Sequence, residues 1–166
     1  MPADPLAASV LTALVARGET LATAESLTGG LIGAALTSVP GSSAAYRGGL
    51  ITYATDLKHS LAGVPEVVLA DGGVISARTA EAMAAGVRTV TGSDWGLAVT
   101  GVAGPDPQEG HPAGEVWIGL AAPGVPAMAR RLELAGDRDA VRAATVAGAL
   151  GWLDGELRAA QGSRRG

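Results

Sequence analysis

The sequence predicts an α/β protein, a three-layer α/β/α sandwich built on a mixed, mostly parallel sheet of about five strands. Three observations lead to this. Short apolar runs end in glycine-containing turns and give way to stretches of helical periodicity, the order of strand, turn and helix found in crossover units. Late in the chain, two apolar runs flank Pro123-Gly124, which predicts an antiparallel hairpin and therefore a mixed sheet. Finally, 166 residues of which 48% are apolar are enough for a single sizeable core.

Taken in order, Leu6, Val10, Leu11, Leu14 and Val15 recur at helical spacing, and Arg17-Gly18 supplies a cation followed by a stop. Asp4 is the only charge ahead of this stretch and no small-residue cleavage site follows it. It is therefore expected to be a helix of a cytoplasmic protein rather than a signal segment. Residues 21–24 form a first strand, which breaks at Glu25-Ser26-Leu27-Thr28-Gly29-Gly30 before a helix over 31–36 that Pro40-Gly41 ends. A second strand over 49–53 leads into a short helix over 56–61, closed by Gly63. A longer helix, with Ser76 as its N-cap, runs to about Val90. Residues 97–100 form a third strand ending in Gly101-Val102-Ala103-Gly104-Pro105. The segment 106–114, rich in Pro, Gly and charge, is expected to be the longest irregular stretch and mobile. Residues 116–121 and 128–134 make the hairpin, 137–157 is one long helix, and 161–166 is a frayed tail, leaving 1–160 as one domain.

Composition excludes several classes of partner. Twelve basic residues stand against sixteen acidic ones, and only 3% of the chain is aromatic. No basic stripe or row of rings exists to neutralise phosphates or stack bases, so nucleic acid is not an expected partner. Charges, Gly or Pro interrupt every apolar run before the roughly 20 residues that a bilayer crossing needs, so no membrane partner is expected. There is no cysteine, hence no disulfide and no thiolate nucleophile, in keeping with a reducing compartment. His59 and His111 are the only histidines, and neither has a partner at metal-ligand spacing, so neither metal nor cofactor is expected. The many Ala and Gly on helices permit close helix contacts, and a homo-oligomer is expected.

In open α/β sheets the ligand site lies beyond the carboxyl ends of the strands. The first such turn, Glu25 to Gly30, places hydroxyls and backbone N–H groups at a helix N-terminus, which suits a phosphate or an oxyanion; Ser26 or Thr28 as a simple helix cap is the competing reading. Its glycines do not match G-x-G-x-x-G, and no G-K-[ST] is present. After the second strand come Tyr53 and Lys58. Lys58 is the only lysine beside eleven arginines; a desolvated lysine, unlike arginine, can serve as a general base, and an exposed lysine left over by codon bias is the competing reading. Tyr53 reads either as a hydrogen-bonding group at the strand end or as a half-buried edge aromatic. The third turn, Thr100 to Pro105, has glycines spaced either for a second backbone cradle or only for a sharp turn. Arg138 and Arg142 sit one turn apart and form either a solvated face or a fork for phosphate.

In this order and spacing, Ala24-Glu25-Ser26-Leu27-Thr28-Gly29-Gly30, Tyr53-Ala54-Thr55-Asp56-Leu57-Lys58, Thr100-Gly101-Val102-Ala103-Gly104-Pro105 and Gly136-Asp137-Arg138 resemble the CinA C-terminal domain family, whose stand-alone members are nicotinamide-nucleotide amidohydrolases. The resemblance implies deamidation of nicotinamide mononucleotide in pyridine-nucleotide salvage. It implies Ser26 as nucleophile, Lys58 as base, Tyr53 orienting Lys58 or protonating the leaving ammonia, and N–H groups around Thr28 to Gly30 as the oxyanion site. Glu25, Thr28, Gly29, Gly30, Thr100, Gly101, Gly104, Arg138 and Arg142 would then bind the mononucleotide. The family pattern usually has a glycine pair soon after Gly-Pro where this chain has Asp106-Pro107-Gln108, His111-Pro112 in place of Lys-Pro, and Gly114-Glu115-Val116 in place of Gly-Thr-Val. A non-catalytic nucleotide-binding or regulatory domain is the alternative that these changes leave open.

Overall fold

The computed structural model describes residues 2–164. Helix α1 (Pro5–Arg17) is capped by the Asp4 side chain on Leu6 and Ala7 N–H, and it stops at Gly18 in the left-handed conformation. Strand β1 (Leu21–Glu25) is followed by helix α2 (Leu31–Thr37), a 3-10 turn (Ser42–Ala44), strand β2 (Tyr46–Ile51) and the short helix α3 (Thr55–Ser60). Then come α4 (Glu66–Gly72), α5 (Ala77–Thr91), β3 (Trp95–Gly101), β4 (Glu115–Ala121), β5 (Met128–Glu133) and α6 (Arg138–Arg164).

The five strands form one sheet in the order β2-β1-β3-β4-β5. β2, β1 and β3 are mutually parallel, while β4 runs antiparallel to both β3 and β5. Only β4 points backwards, so the expected mixed sheet is present and the carboxyl ends of β1, β2 and β3 share one rim. The reversed β4 brings its first residue, Glu115, to that same rim, and β5 delivers the start of α6 there.

Side chains alternate across the sheet and divide the core in two. On one face, α1, α2 and α6 cover Leu21, Leu97, Val99, Val116, Ile118 and Leu120. On the other, α4 and α5 cover Ala22, Ala24, Ala98 and Ala121. The second face is built of small residues, so α5 approaches closely: a Cβ on Gly96 or Gly119 would run into the carbonyl oxygens of Ala84 or Ala80. Two packed faces around one sheet complete the α/β/α sandwich.

Several elements differ from the sequence reading. β2 begins at Tyr46 rather than 49 and ends at Ile51; Thr52 N–H still bonds Glu25 O (2.9 Å), and Tyr53 has left the sheet. α4 lies in a stretch to which no element was assigned, because its single buried side chain, Val68, creates no periodicity. Segment 106–114 is not irregular throughout. Gln108 and His111 bridge through two backbone hydrogen bonds (3.0 and 2.8 Å) around Glu109 and Gly110, both at positive φ, making a tight turn. α6 continues through Arg164, into the segment expected to fray, with residues 165–166 outside the described range. No helix of the described residues is long and apolar enough to cross a membrane.

Candidate active site

A cavity of about 430 Å³ opens at the shared rim. Its floor is made by the ends of β1 and β3, one wall by Tyr53, Thr55 and Lys58, another by Val74 and Ile75, and the mouth by residues 100–108 and Arg138. The sequence scatters these groups along most of the chain, and parallel strands bring them to one place.

At its centre stand Ser26 and Lys58. Ser26 follows β1 directly and is 8% exposed; Lys58, from α3, is 2% exposed. Lys58 Nζ lies 3.2 Å from Ser26 Oγ, 2.7 Å from the Thr52 carbonyl oxygen and 3.5 Å from that of Tyr53. No carboxylate forms an ion pair with this amine among the described residues. Burial therefore dominates and pushes Lys58 down from 10.5 to about 8, against a smaller opposing pull from the Glu109 carboxylate.

Tyr53 lines the cavity, but its ring is exposed and its hydroxyl accepts from Arg138 Nη2 at 3.2 Å. Its expected contact with Lys58 is made by its main-chain carbonyl instead, because α3 turns the amine inward while the phenol stays on the outer wall. Arg138 also donates to Gly104 O at 2.8 Å, which ties the start of α6 to the glycine loop after β3. Gly101 and Gly104 line the cavity as expected. Thr100 does too, yet its hydroxyl is spent on Val74 O (2.6 Å), so it joins two walls rather than offering a free donor.

Glu25, Thr28, Gly29, Gly30 and Arg142, expected as ligand-binding groups, stand behind the cavity rather than in its wall. The Glu25 carboxylate itself occupies the N-terminus of α2, accepting from Thr28 Oγ1 (2.7 Å), Ile32 N–H (2.9 Å) and Gly33 N–H (3.0 Å). An anion already sits where a phosphate was expected. Arg142 grips the turn from outside, donating to Leu27 O (3.0 Å) and Thr28 O (3.3 Å). Gly29 N–H is engaged by Ser26 O (3.1 Å). The turn's N–H groups with no acceptor among the described residues are those of Leu27, Thr28 and Gly30.

Segment 106–114 is anchored at its far end. His111 Nδ1 is 3.0 Å from Glu115 Oε2, and Arg131 and Trp117 also reach that carboxylate. Burial alone would raise Glu115, but these donors and cations hold it below the usual range. Sequence reasoning missed the carbonyls of Thr52 and Tyr53 and the apolar wall at Val74 and Ile75. Main-chain acceptors carry no residue-type signal, and that wall belongs to the entry of α5, far from the motifs. Among the described residues, no group of three or more His, Cys, Asp and Glu converges as a metal site would need.

The model of the family described as "CinA C-terminal domain" matches residues 3–157. A CinA-like protein of Frankia casuarinae is 54% identical over 147 residues, covering 89% of this chain and 34% of that protein. Another, from Myxococcus xanthus, is 47% identical over 160 residues, covering 95% and 38%. The chain thus spans about a third of the length of the curated relatives it matches. Among solved structures, a competence-damaged protein (CinA) superfamily protein from Klebsiella pneumoniae superimposes with a TM-score of 0.89 at 36% identity, over 92% of this chain and 96% of that one. A competence/damage inducible protein from Agrobacterium tumefaciens does so with a TM-score of 0.88 at 34% identity, over 95% and 99%.

Proposed function

The chain belongs to the CinA C-terminal domain family, and on that premise we propose that it is an amidohydrolase that converts nicotinamide mononucleotide to nicotinate mononucleotide and ammonia. Ser26 is the nucleophile and Lys58 the base. The substrate follows from the motif resemblance; the chemistry follows from the site. One observation carries the reading: a buried lysine amine, shifted to about 8, lies 3.2 Å from the hydroxyl of a serine on a cavity floor.

A neutral amine has two N–H groups and one lone pair. The Thr52 and Tyr53 carbonyls take the two N–H groups, which leaves the lone pair for the Ser26 hydroxyl. At pH 7 roughly a tenth of Lys58 is neutral, against a few in ten thousand for an unshifted lysine. Lys58 removes the Oγ proton as Oγ attacks the carboxamide carbon. The oxyanion forms beside the Ser26 turn, where the N–H of Leu27, a residue of the cavity wall, has no acceptor among the described residues. Collapse breaks the C–N bond, the proton on Lys58 passes to the departing nitrogen, and ammonia leaves an ester on Ser26. Water then attacks the ester carbon, giving one proton to Lys58, which returns it to Oγ as the acid departs. Arg138, the only guanidinium in the cavity wall among the described residues, is assigned to the phosphate. A volume of about 430 Å³ suits a small-molecule site.

The test is ammonia release from nicotinamide mononucleotide by wild type, Ser26→Ala and Lys58→Ala, with nicotinamide and nicotinamide adenine dinucleotide as competing substrates. The reading expects release from the mononucleotide by wild type and a loss of roughly a thousandfold or more in each variant. Undiminished release by either variant overturns the assignment. Tight mononucleotide binding by folded wild type with no product would make the chain a binding domain.

A further inference from the structure

Glu25 directly precedes the proposed nucleophile and is 2% exposed. It is not part of the cavity wall. Helix α2 starts from Gly30, which has no side chain with which to cap it, and Glu25 takes that place from the end of the neighbouring strand. Its two oxygens hold one hydroxyl and two amide donors at 2.7 to 3.0 Å. Those donors and the helix dipole answer its charge; no guanidinium or amine pairs with it among the described residues.

The Glu25–Thr28 bond closes a ring of chain around Ser26. Ser26 is further held by its own peptide groups, its N–H on Val99 O (3.2 Å) and its carbonyl on Gly29 N–H (3.1 Å). With the backbone fixed on both sides, only the side-chain torsion of Ser26 is free. Where Oγ falls relative to Lys58 is then decided by the shape of the turn. We propose that Glu25 is a positioning residue, whose buried carboxylate holds the β1–α2 turn in the shape that places Ser26 Oγ beside the Lys58 amine. The proposal rests on the Ser26–Lys58 reading above. Misplacing a reacting atom by about 1 Å can lower a rate about a hundredfold.

Two substitutions loosen the ring by different means. In Glu25→Gln one oxygen becomes an NH₂ group, which meets an N–H of α2 or the Thr28 hydroxyl in place of an acceptor. Thr28→Val removes the hydroxyl and leaves the carboxylate and both amide bonds. Two readouts are used: steady-state ammonia release across pH, and labelling of Ser26 by a fluorophosphonate followed by mass spectrometry. In the labelling reaction the Oγ–P bond forms as P–F breaks, fluoride leaves, and the Oγ proton passes to Lys58.

The proposal expects kcat to fall about tenfold or more in both variants, with KM within about twofold, and the midpoint of the pH profile in place. Labelling should slow in parallel. Rates and labelling within about twofold of wild type in both variants would overturn it. So would a raised KM at unchanged kcat, which would make Glu25 a substrate group. A midpoint displaced to lower pH with unchanged labelling would also overturn it, because charge rather than geometry would then be the agent. Labelling needs no carboxamide, so wild type that is labelled but releases no ammonia contradicts the substrate reading while this proposal is still decided by the variants.

Discussion

Lys58 Nζ approaches Ser26 Oγ to 3.2 Å across a separation of 32 residues, and the backbone carbonyl of Thr52 holds the amine from the other side at 2.7 Å. The pair depends on topology. Ser26 follows β1 and Lys58 follows β2, and those strands are parallel neighbours whose last residues, Glu25 and Ile51, are in register. A strand that ends in a serine turn beside one that leads into a short helix brings hydroxyl and amine together without help from any histidine.

The rate should follow the deprotonation of Lys58. With the amine at about 8, kcat/KM should rise about tenfold per pH unit below 8 and level off above about 9. Lys58→Arg, which stays charged at these pH values, should lose both the activity and the limb. A profile that is flat from pH 6 to 9 would contradict the base assignment.

Stability should rise with pH as activity does, and substitution of Lys58 should separate the two. The folded chain holds Lys58 at about 8 and the unfolded chain near 10.5, so the unfolded state binds the extra proton between those values and stability rises with pH through that window. Below about 8 the full penalty applies, on the order of 3 kcal/mol. Lys58→Met should therefore raise Tm at pH 7 by roughly 8 °C, with the advantage shrinking toward pH 10, while ammonia release is lost. Calorimetry at the two pH values checks this; a lower Tm at pH 7 would contradict it.

Arg138 and Tyr53 should act on binding rather than on the chemical step. Arg138→Ala removes the guanidinium from the cavity wall and should raise KM for the mononucleotide about tenfold or more, with little change in turnover of free nicotinamide. Tyr53→Phe removes an acceptor for Arg138 (3.2 Å) and should raise KM only a few fold. A large fall in kcat for Tyr53→Phe at unchanged KM would return the phenol to the proton pathway.

Gly119→Ala tests the packing of α5 on the sheet. The new methyl would meet the Ala80 carbonyl, and backbone cannot swing aside as a flexible side chain does. A loss of about 2 kcal/mol or more is expected, seen as a Tm lower by roughly 5 °C. A Tm within 1 °C or so of wild type would show that the α5 contact is looser than described.

The elements with strong local signals were readable from the sequence: α1 with its stop at Gly18, the Ser76 cap of α5, and the hairpin around Pro123-Gly124. β2 was displaced because the Gly48-Gly49 pair weakens any strand signal, and its extent is fixed by pairing with β1. The tight turn at Glu109-Gly110 was hidden because a non-glycine residue takes the left-handed conformation there. Within the site, Ser26 and Lys58 were readable because turn chemistry and a solitary lysine are properties of residue type. Glu25 and Arg142 stand behind the cavity wall instead, for the complementary reason. Residue type shows a charge beside the site, and only the fold shows that the charge is already satisfied by the turn it supports.

The most direct test of the central claim is to quench wild type during turnover of nicotinamide mononucleotide in acid and map the peptide that carries Ser26. The account predicts an ester-linked nicotinoyl mononucleotide on Ser26, absent from Ser26→Ala and from Lys58→Ala. Continued ammonia release by Ser26→Ala, with no covalent species in the wild type, would contradict it and leave direct attack by water as the route.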